Sequence, residues 1–333
     1  MQRREFLKWA AISGAVVSGC RLAPQHLHAR DQLTAAPPLP KPDRAASSAA
    51  LRCVLFGDWG SGNDLQKSVA RAMAAHSRRA AQIGKPLDFA ISLGDNFYND
   101  GVKNPADAQW ETKFEAMYPA ASMPFPFFAV LGNHDWRLDP NAQLVYGQKP
   151  TTRWNMDGFY YGRSLGGTAQ NPLADFFFFD TDLWLPQYNV RGLGDRQLRW
   201  LNESLAASSA KWKFLVGHHP PFTDGAHAGE ADIPIIREIV VPLCQKYGVD
   251  TVFSGHDHDL QRIQIPQNPT QFVVCGAGGA GLRPRKTQEF GPFYRDMVGG
   301  FLSLEIDQKQ LRGEFRGVDG AILDAWTQAP RAA

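Results

Sequence analysis

Cysteine is scarce in this chain of 333 residues: there are four, Cys20, Cys53, Cys244 and Cys275. They are far apart and never in CxxC spacing, which excludes a disulfide-stapled scaffold and a cysteine zinc site. Cys53 and Cys275 lie in apolar, strand-like runs and read as buried small hydrophobes, although export would permit one disulfide whose pairing the sequence does not give. An excess of one charge is also lacking. Lys and Arg number 35 against 33 Asp and Glu, a net charge of +2, so no nucleic acid is expected as a stable partner. No internal repeat is visible. With 44% apolar and 20% charged residues, what remains is a globular chain long enough for one large domain or two small ones.

The first twenty residues read as an address rather than as fold. Arg3-Arg4-Glu5-Phe6-Leu7-Lys8 precedes an apolar stretch from Trp9 to Val17, the basic start and short apolar core of an export signal. That stretch is about half of the roughly 20 residues a spanning helix needs. The arginine pair resembles a twin-arginine signal, a route for proteins already folded and often loaded with cofactor; Gln2 stands where Ser or Thr is more usual. Val17-Ser18-Gly19-Cys20 resembles a lipobox, in which Cys20 becomes the lipid-bearing first residue; a small-residue cleavage site holding a cysteine by chance reads the same way. Residues 21–50 are rich in Ala, Pro and polar groups and read as a disordered tether. The folded domain is expected over 51–328, and the location as exported: periplasmic, or a membrane-anchored bacterial lipoprotein.

Within that domain, short apolar runs end repeatedly in glycine and a potential ligand. Cys53-Val54-Leu55-Phe56 ends in Gly57-Asp58, and Phe89-Ala90-Ile91-Ser92-Leu93 ends in Gly94-Asp95-Asn96-Phe97-Tyr98. A strand from Pro126 to Leu131 ends in Gly132-Asn133-His134-Asp135, Trp212 to Val216 in Gly217-His218, and Thr251 to Phe253 in Gly255-His256-Asp257-His258. Ligands of open α/β sheets collect beyond such strand ends. His256 and His258, two apart in an extended segment, face the same way. Any one of these residues alone has a plainer reading, since Asp58 could merely cap backbone amides and Tyr98 could be a half-buried aromatic. Helices are expected from Asn63 or Asp64 to Ile83, near Ala106 to Met117, from Gly194 or Asp195 with Leu198, Leu201 and Leu205 inward, and from Ile233 to Tyr247. Trp154 to Tyr161 and Phe176 to Asp180 read as strands of a second sheet. Phe272 to Cys275, Phe301 to Ile306 and Leu311 to Arg316 are further strands, and Gly276 to Gly281 a flexible loop. Segments 101–104, 137–149 and 223–230 read as loops around a pocket.

The candidate ligands divide by chemistry. Asp58, Asp95, Tyr98 and His258 would offer one metal anionic oxygens, including a phenolate, which suit a trivalent ion such as Fe(III). Asp95, Asn133, His218 and His256 would offer a second metal more neutral donors, which suit Fe(II), Zn or Mn. Two cations about 3.5–4 Å apart can activate a water between them and clamp phosphoryl oxygens. A trivalent partner lowers the pKa of that water further, which predicts a mildly acidic pH optimum.

Taken in order, these five motifs resemble those of the calcineurin-like metallophosphoesterases, and Tyr98 resembles the purple acid phosphatase branch, of the tartrate-resistant, low-molecular-weight type. The resemblance implies an α/β fold (α+β by some schemes): a four-layer α-β-β-α sandwich with a dinuclear site at strand ends. It implies catalytic roles for His134, which matches the position that contacts substrate phosphate, and for His227, nine residues after His218. Ala226 stands where mammalian relatives carry Glu, and His219 is expected to be structural rather than a ligand. The implied activity is hydrolysis of phosphate monoesters by a monomer, through in-line attack of a metal-activated hydroxide. Alternatives are a phosphodiesterase acting on nucleotides or phospholipid head groups, and a non-catalytic metal- or phosphate-binding lipoprotein.

Overall fold

The computed structural model describes residues 50–168, 170–188 and 192–331. The expected export signal, Cys20 and the tether up to residue 49 lie outside the described residues. Strands β1 (Ala50–Phe56), β2 (Phe89–Ser92) and β3 (Phe127–Ala129) are the apolar runs that carry the first three motifs, and they pair in parallel. Near-continuous apolar sequence is what a strand buried on both faces requires. The short β4 (Trp154–Asn155) continues this sheet beyond β3. On the other side β1 pairs antiparallel with β12 (Gly300–Asp307), with Ala50 opposite Asp307, followed by β13 (Leu311–Gly317) and β14 (Ile322–Gln328).

The second sheet has parallel β6 (Pro172–Phe178), β7 (Trp212–Val216), β8 (Thr251–Ser254) and β10 (Gln271–Cys275) at its centre. Antiparallel β5 (Tyr161–Gly167) flanks it on one side, and β9 (Leu260–Gln264) with β11 (Pro292–Arg295) on the other. The two sheets face each other through aromatic rings. Phe89 meets Phe176 edge-on at 5.5 Å and Phe128 meets Phe178 at 5.9 Å between ring centroids. Side chains alternate across a strand, so Phe177 points the other way, against Trp200 at 6.4 Å. Trp200 belongs to α3 (Leu193–Ala207), which covers the outer face of the second sheet. Helix α1 (Asp64–Gln82) covers the first sheet; the Asn63 side chain caps it by accepting the Gln66 amide at 2.9 Å, and His76 lies against Phe301 of β12. Helices α2 (Asn141–Gly147) and α4 (Asp232–Tyr247) complete the set. The expected four-layer sandwich is the fold observed.

Several local expectations are corrected. Trp154 joins the first sheet, not the second, because it pairs in parallel with Phe127; only from Tyr161 does that segment enter the second sheet. The helix expected near 106–117 is a single π-helical stretch, Trp110–Glu115, whose Trp110 and Phe114 plug an aromatic cluster with Trp59, Phe97 and Trp154. Leu201 and Leu205 are core, but Leu198 is half-exposed and Gln197 faces inward, exchanging hydrogen bonds with the Asp180 backbone. Residues 276–280 form no loose loop. They are buried, with the Gly278 amide donating to Gly57 O at 3.1 Å and the Ala280 amide to Asp58 O at 2.7 Å. The segment 137–149, read as a loop, contains α2. Cys53, Cys244 and Cys275 are buried and unpaired.

Candidate metal centre

All five motifs leave the carboxyl ends of parallel strands and converge. β1 delivers Asp58, β2 delivers Asp95 and Tyr98, β3 delivers Asn133 and His134, β7 delivers His218, and β8 delivers His256 and His258. The backbone is forced to turn sharply there. Asp58, Asp95 and His256 have φ of 57°, 49° and 73°, the left-handed region that non-glycine residues enter at a cost. The preceding glycines make room: a Cβ on Gly94 would stand 2.6 Å from His218 Nδ1, and one on Gly255 would stand 2.5 Å from Asp58 Oδ2.

The expected trivalent-metal set is brought together around one atom. Tyr98 Oη lies 2.8 Å from Asp95 Oδ2, 3.0 Å from Asp58 Oδ1 and 3.1 Å from His258 Nε2. His258 donates its Nδ1 proton to Gly281 O at 2.7 Å, so its Nε2 presents a lone pair. Three acceptors thus surround a single phenolic proton. The second set repeats the pattern. His218 donates Nδ1–H to Leu93 O at 2.8 Å, and its Nε2 lone pair lies 3.3 Å from Asn133 Oδ1 and 3.5 Å from Asp95 Oδ1. Lone pairs converging without protons to share are what a cation site needs, and the carboxylate, phenol and imidazole donors fit two metal ions. His256 stands apart from this second set. Its ring is 5.1 Å from that of His218, and it packs between His219 at 4.2 Å and His227 at 4.1 Å.

Without cations the site resists charge. Burial, aided by Asp95, pushes the Asp58 carboxyl well above the usual range, and burial with Asp58 and Asp95 does the same to the Tyr98 phenol. Burial lowers His218 and takes His258 down to about 4. Burial also opposes ionisation of Asp95, but His218 and His134 outweigh it and its pKa falls. One anion shared between the two ligand sets, surrounded by groups that prefer neutrality, suits a bridging position.

His134 and His227 stand at the rim with side chains 19% and 17% exposed. His134 donates Nδ1–H to Asn99 O at 2.5 Å, and Arg137 donates to its Nε2 at 3.2 Å. Arg283 donates to His227 Nε2 at 2.5 Å, while Glu230 Oε2 lies 3.0 Å from His227 Nδ1. Sequence reading singled out neither arginine nor Glu230 for a role at the site. They come from loops and a short 3-10 turn, where no periodicity marks a residue as facing inward.

Residues inside the motifs that are not ligand candidates hold the loops in register. Asp135 accepts the Asn96 and Gly132 amides at 3.0 Å each, tying the β2 and β3 turns together. Asp257 accepts the His227 amide at 3.0 Å and the Thr223 hydroxyl, tying the His227 loop to the β8 turn. Asp58 Oδ2 accepts the His256 amide at 2.9 Å, joining one sheet to the other. A groove lined by Arg52, His76, Lys85 and Glu305 shares no residue with this centre.

The profile of the calcineurin-like phosphoesterase family matches residues 51–260. Purple acid phosphatase 17 of Arabidopsis thaliana is 31% identical over 308 residues, 85% of this chain and 85% of the relative. Tartrate-resistant acid phosphatase type 5 of Homo sapiens is 31% identical over 310 residues, 86% of this chain and 93% of the relative. Among solved structures, GAP50, the anchor in the inner membrane complex of Plasmodium, superposes with a TM-score of 0.75 at 25% identity, covering 86% of this chain and 90% of that one. Purple acid phosphatase PPD1 from yellow lupin seeds has the same fold, with a TM-score of 0.66 at 20% identity over 87% of this chain and 55% of that one.

Proposed function

The chain belongs to the calcineurin-like phosphoesterases, within their purple acid phosphatase branch of tartrate-resistant type, and from that premise we propose that it is an exported acid phosphatase that hydrolyses phosphate monoesters. The observation that carries the proposal is the set of proton-poor donors around Tyr98 Oη, with Asp58, Asp95 and His258 all within 3.1 Å of it. In this reading Asp58, Asp95, Tyr98 and His258 hold Fe(III), and Asp95, Asn133, His218 and His256 hold Fe(II), Zn or Mn. When bound, the two cations polarise a water and neutralise phosphoryl charge.

The chain's own residues supply the rest. His134 and His227 orient the phosphoryl group, and whichever is protonated gives its proton to the departing alcohol oxygen. Arg137 and Arg283, each on the Nε2 of one of these histidines, add positive charge where a phosphate dianion would enter. Asp135 and Asp257 keep the two histidine loops at fixed separation from the metal ligands.

Export is part of the proposal, by the twin-arginine-type signal, to the periplasm or to a membrane anchor on lipidated Cys20. Among the described residues no helix is long and apolar enough to cross a membrane. The likeness to an anchor protein favours one second reading, a non-catalytic lipoprotein; it leaves His134 and His227 without a task. Turnover of p-nitrophenyl phosphate well above that of bis-p-nitrophenyl phosphate is expected, with an acidic optimum. Dominant diester turnover would sink the monoesterase reading. His134→Ala should cost about 10²–10⁴-fold in kcat, the worth of a positioned proton donor, with metal content intact; unchanged background rates in both proteins would favour the anchor.

A further inference from the structure

Three histidines are assigned here to the metal centre, and they are not held alike. His218 and His258 each donate Nδ1–H to a backbone carbonyl, Leu93 O at 2.8 Å and Gly281 O at 2.7 Å, which turns Nε2 toward the ligand cluster. Among the described residues His256 has no such carbonyl. Its Nε2 is buried with no hydrogen-bond partner, and Asp232 Oδ2 lies 3.5 Å from it. The same carboxylate oxygen lies 3.5 Å from His219 Nε2, while His219 Nδ1 is 2.7 Å from Thr181 Oγ1. Asp232 is the first residue of α4, and its other oxygen accepts the Ile233 amide at 2.9 Å. One side chain at a helix end therefore faces two buried imidazoles, with one oxygen 3.5 Å from the Nε2 of each.

We propose that Asp232 is the positioning residue of the second metal: it accepts from Nε2–H of His256, fixes the tautomer opposite to that of His218 and His258, and leaves Nδ1 as the nitrogen His256 offers to the cation. His219, held at its far nitrogen by Thr181, keeps the carboxylate in place from the other side. The reason is general. An imidazole on a cation needs a partner for its other nitrogen, and a carboxylate both orients the ring and makes the ligating nitrogen more basic. A cation on Nδ1 would strengthen Nε2–H as a donor toward the Asp232 oxygen 3.5 Å away. His256 also donates its backbone amide to Asp58 at 2.9 Å, which fixes where its Cα stands while leaving the ring to Asp232.

The proposal rests on the dinuclear reading above, and its test reads metal rather than turnover. Wild type, Asp232→Ala and Asp232→Glu are loaded with iron, then titrated with Zn(II) by equilibrium dialysis, with metals counted per chain and the visible tyrosinate band recorded. The second-metal Kd should rise about 10–100-fold in Asp232→Ala, the cost of losing an outer-shell partner. Asp232→Glu should recover most of it. The band, which reports on Tyr98, and the melting temperature should show that the first site and the fold persist. An unchanged Kd in Asp232→Ala overturns the proposal. So does a third cation per wild-type chain that disappears in Asp232→Ala, because His219, Asp232 and His256 would then be ligands of their own ion. Fewer than two cations in the wild type would sink the dinuclear centre itself. Two cations with the expected Kd change but no phosphatase turnover would leave this inference standing and remove the activity.

Discussion

The two sheets contribute unequally to the centre. The first supplies oxygen: Asp58 after β1, Asp95 and Tyr98 after β2, Asn133 after β3. The second supplies nitrogen: His218 after β7, His256 and His258 after β8. Both halves use the same device, parallel strands buried on both faces that stop at a glycine. The difference lies in how the donors are steadied. The oxygen half shares its anions between neighbours, with Asp95 within reach of Tyr98, His218 and the His134 amide. In the nitrogen half each ring is anchored separately, through a carbonyl or through Asp232. Damage in the first half should therefore spread to both cations, and damage in the second should stay local.

The sharpest way to break that contrast is Asp95→Ala. It removes the one residue common to both ligand sets, and loss of both cations with more than about 100-fold weaker binding is expected, since outer partners alone are worth that much; metal analysis after dialysis checks it. Retention of one tightly held cation would show that the oxygen half is not shared. Tyr98→Phe is a narrower cut within the same half. The visible band should vanish, with about tenfold or greater loss of iron affinity, while the affinity for the second metal changes less. A surviving band would remove Tyr98 from the first coordination sphere.

The smallest effect belongs to a residue beneath the first sheet and away from the centre. Burial depresses the His76 pKa to about 4 from 6.5. As pH falls from 6.5 toward 4 the unfolded chain takes up a proton that the folded one refuses, so stability is lost through that window and is fully present above it. His76→Gln should remove this one-proton slope, worth roughly 1–3 kcal/mol across the window, as read from urea midpoints at neutral and acidic pH. Because the proposed enzyme works in acid, this control separates loss of fold from loss of metal.

What could be read from sequence follows the same division. Gly-closed apolar runs are unmistakable when a strand is buried on both faces, so the central parallel strands and the candidate ligands beyond them were legible, whereas the two-residue β4 was not. The flanking β5, β9, β11 and β14 were not. β11, for instance, has burial ranging from exposed to half-buried over Pro292–Arg295 and presents no apolar run to notice. The same reason hid Asp232, Glu230, Arg137 and Arg283. They reach the site from a helix start and from irregular backbone, where a charged residue looks like any solvated one. The left-handed backbone of Asp58, Asp95 and His256 was equally invisible, although the glycine before each was its one outward sign.

The pairing of β1 with β12 sets an order of events during synthesis. Every proposed ligand has emerged once His258 is made, yet Leu51 to Leu55 stay an open edge until their partners Leu302 to Ile306 arrive. An unpaired strand edge invites pairing with other chains, and a domain with this topology settles only when its late segment is free. Any metal would accordingly meet a settled site only after the chain has left the ribosome.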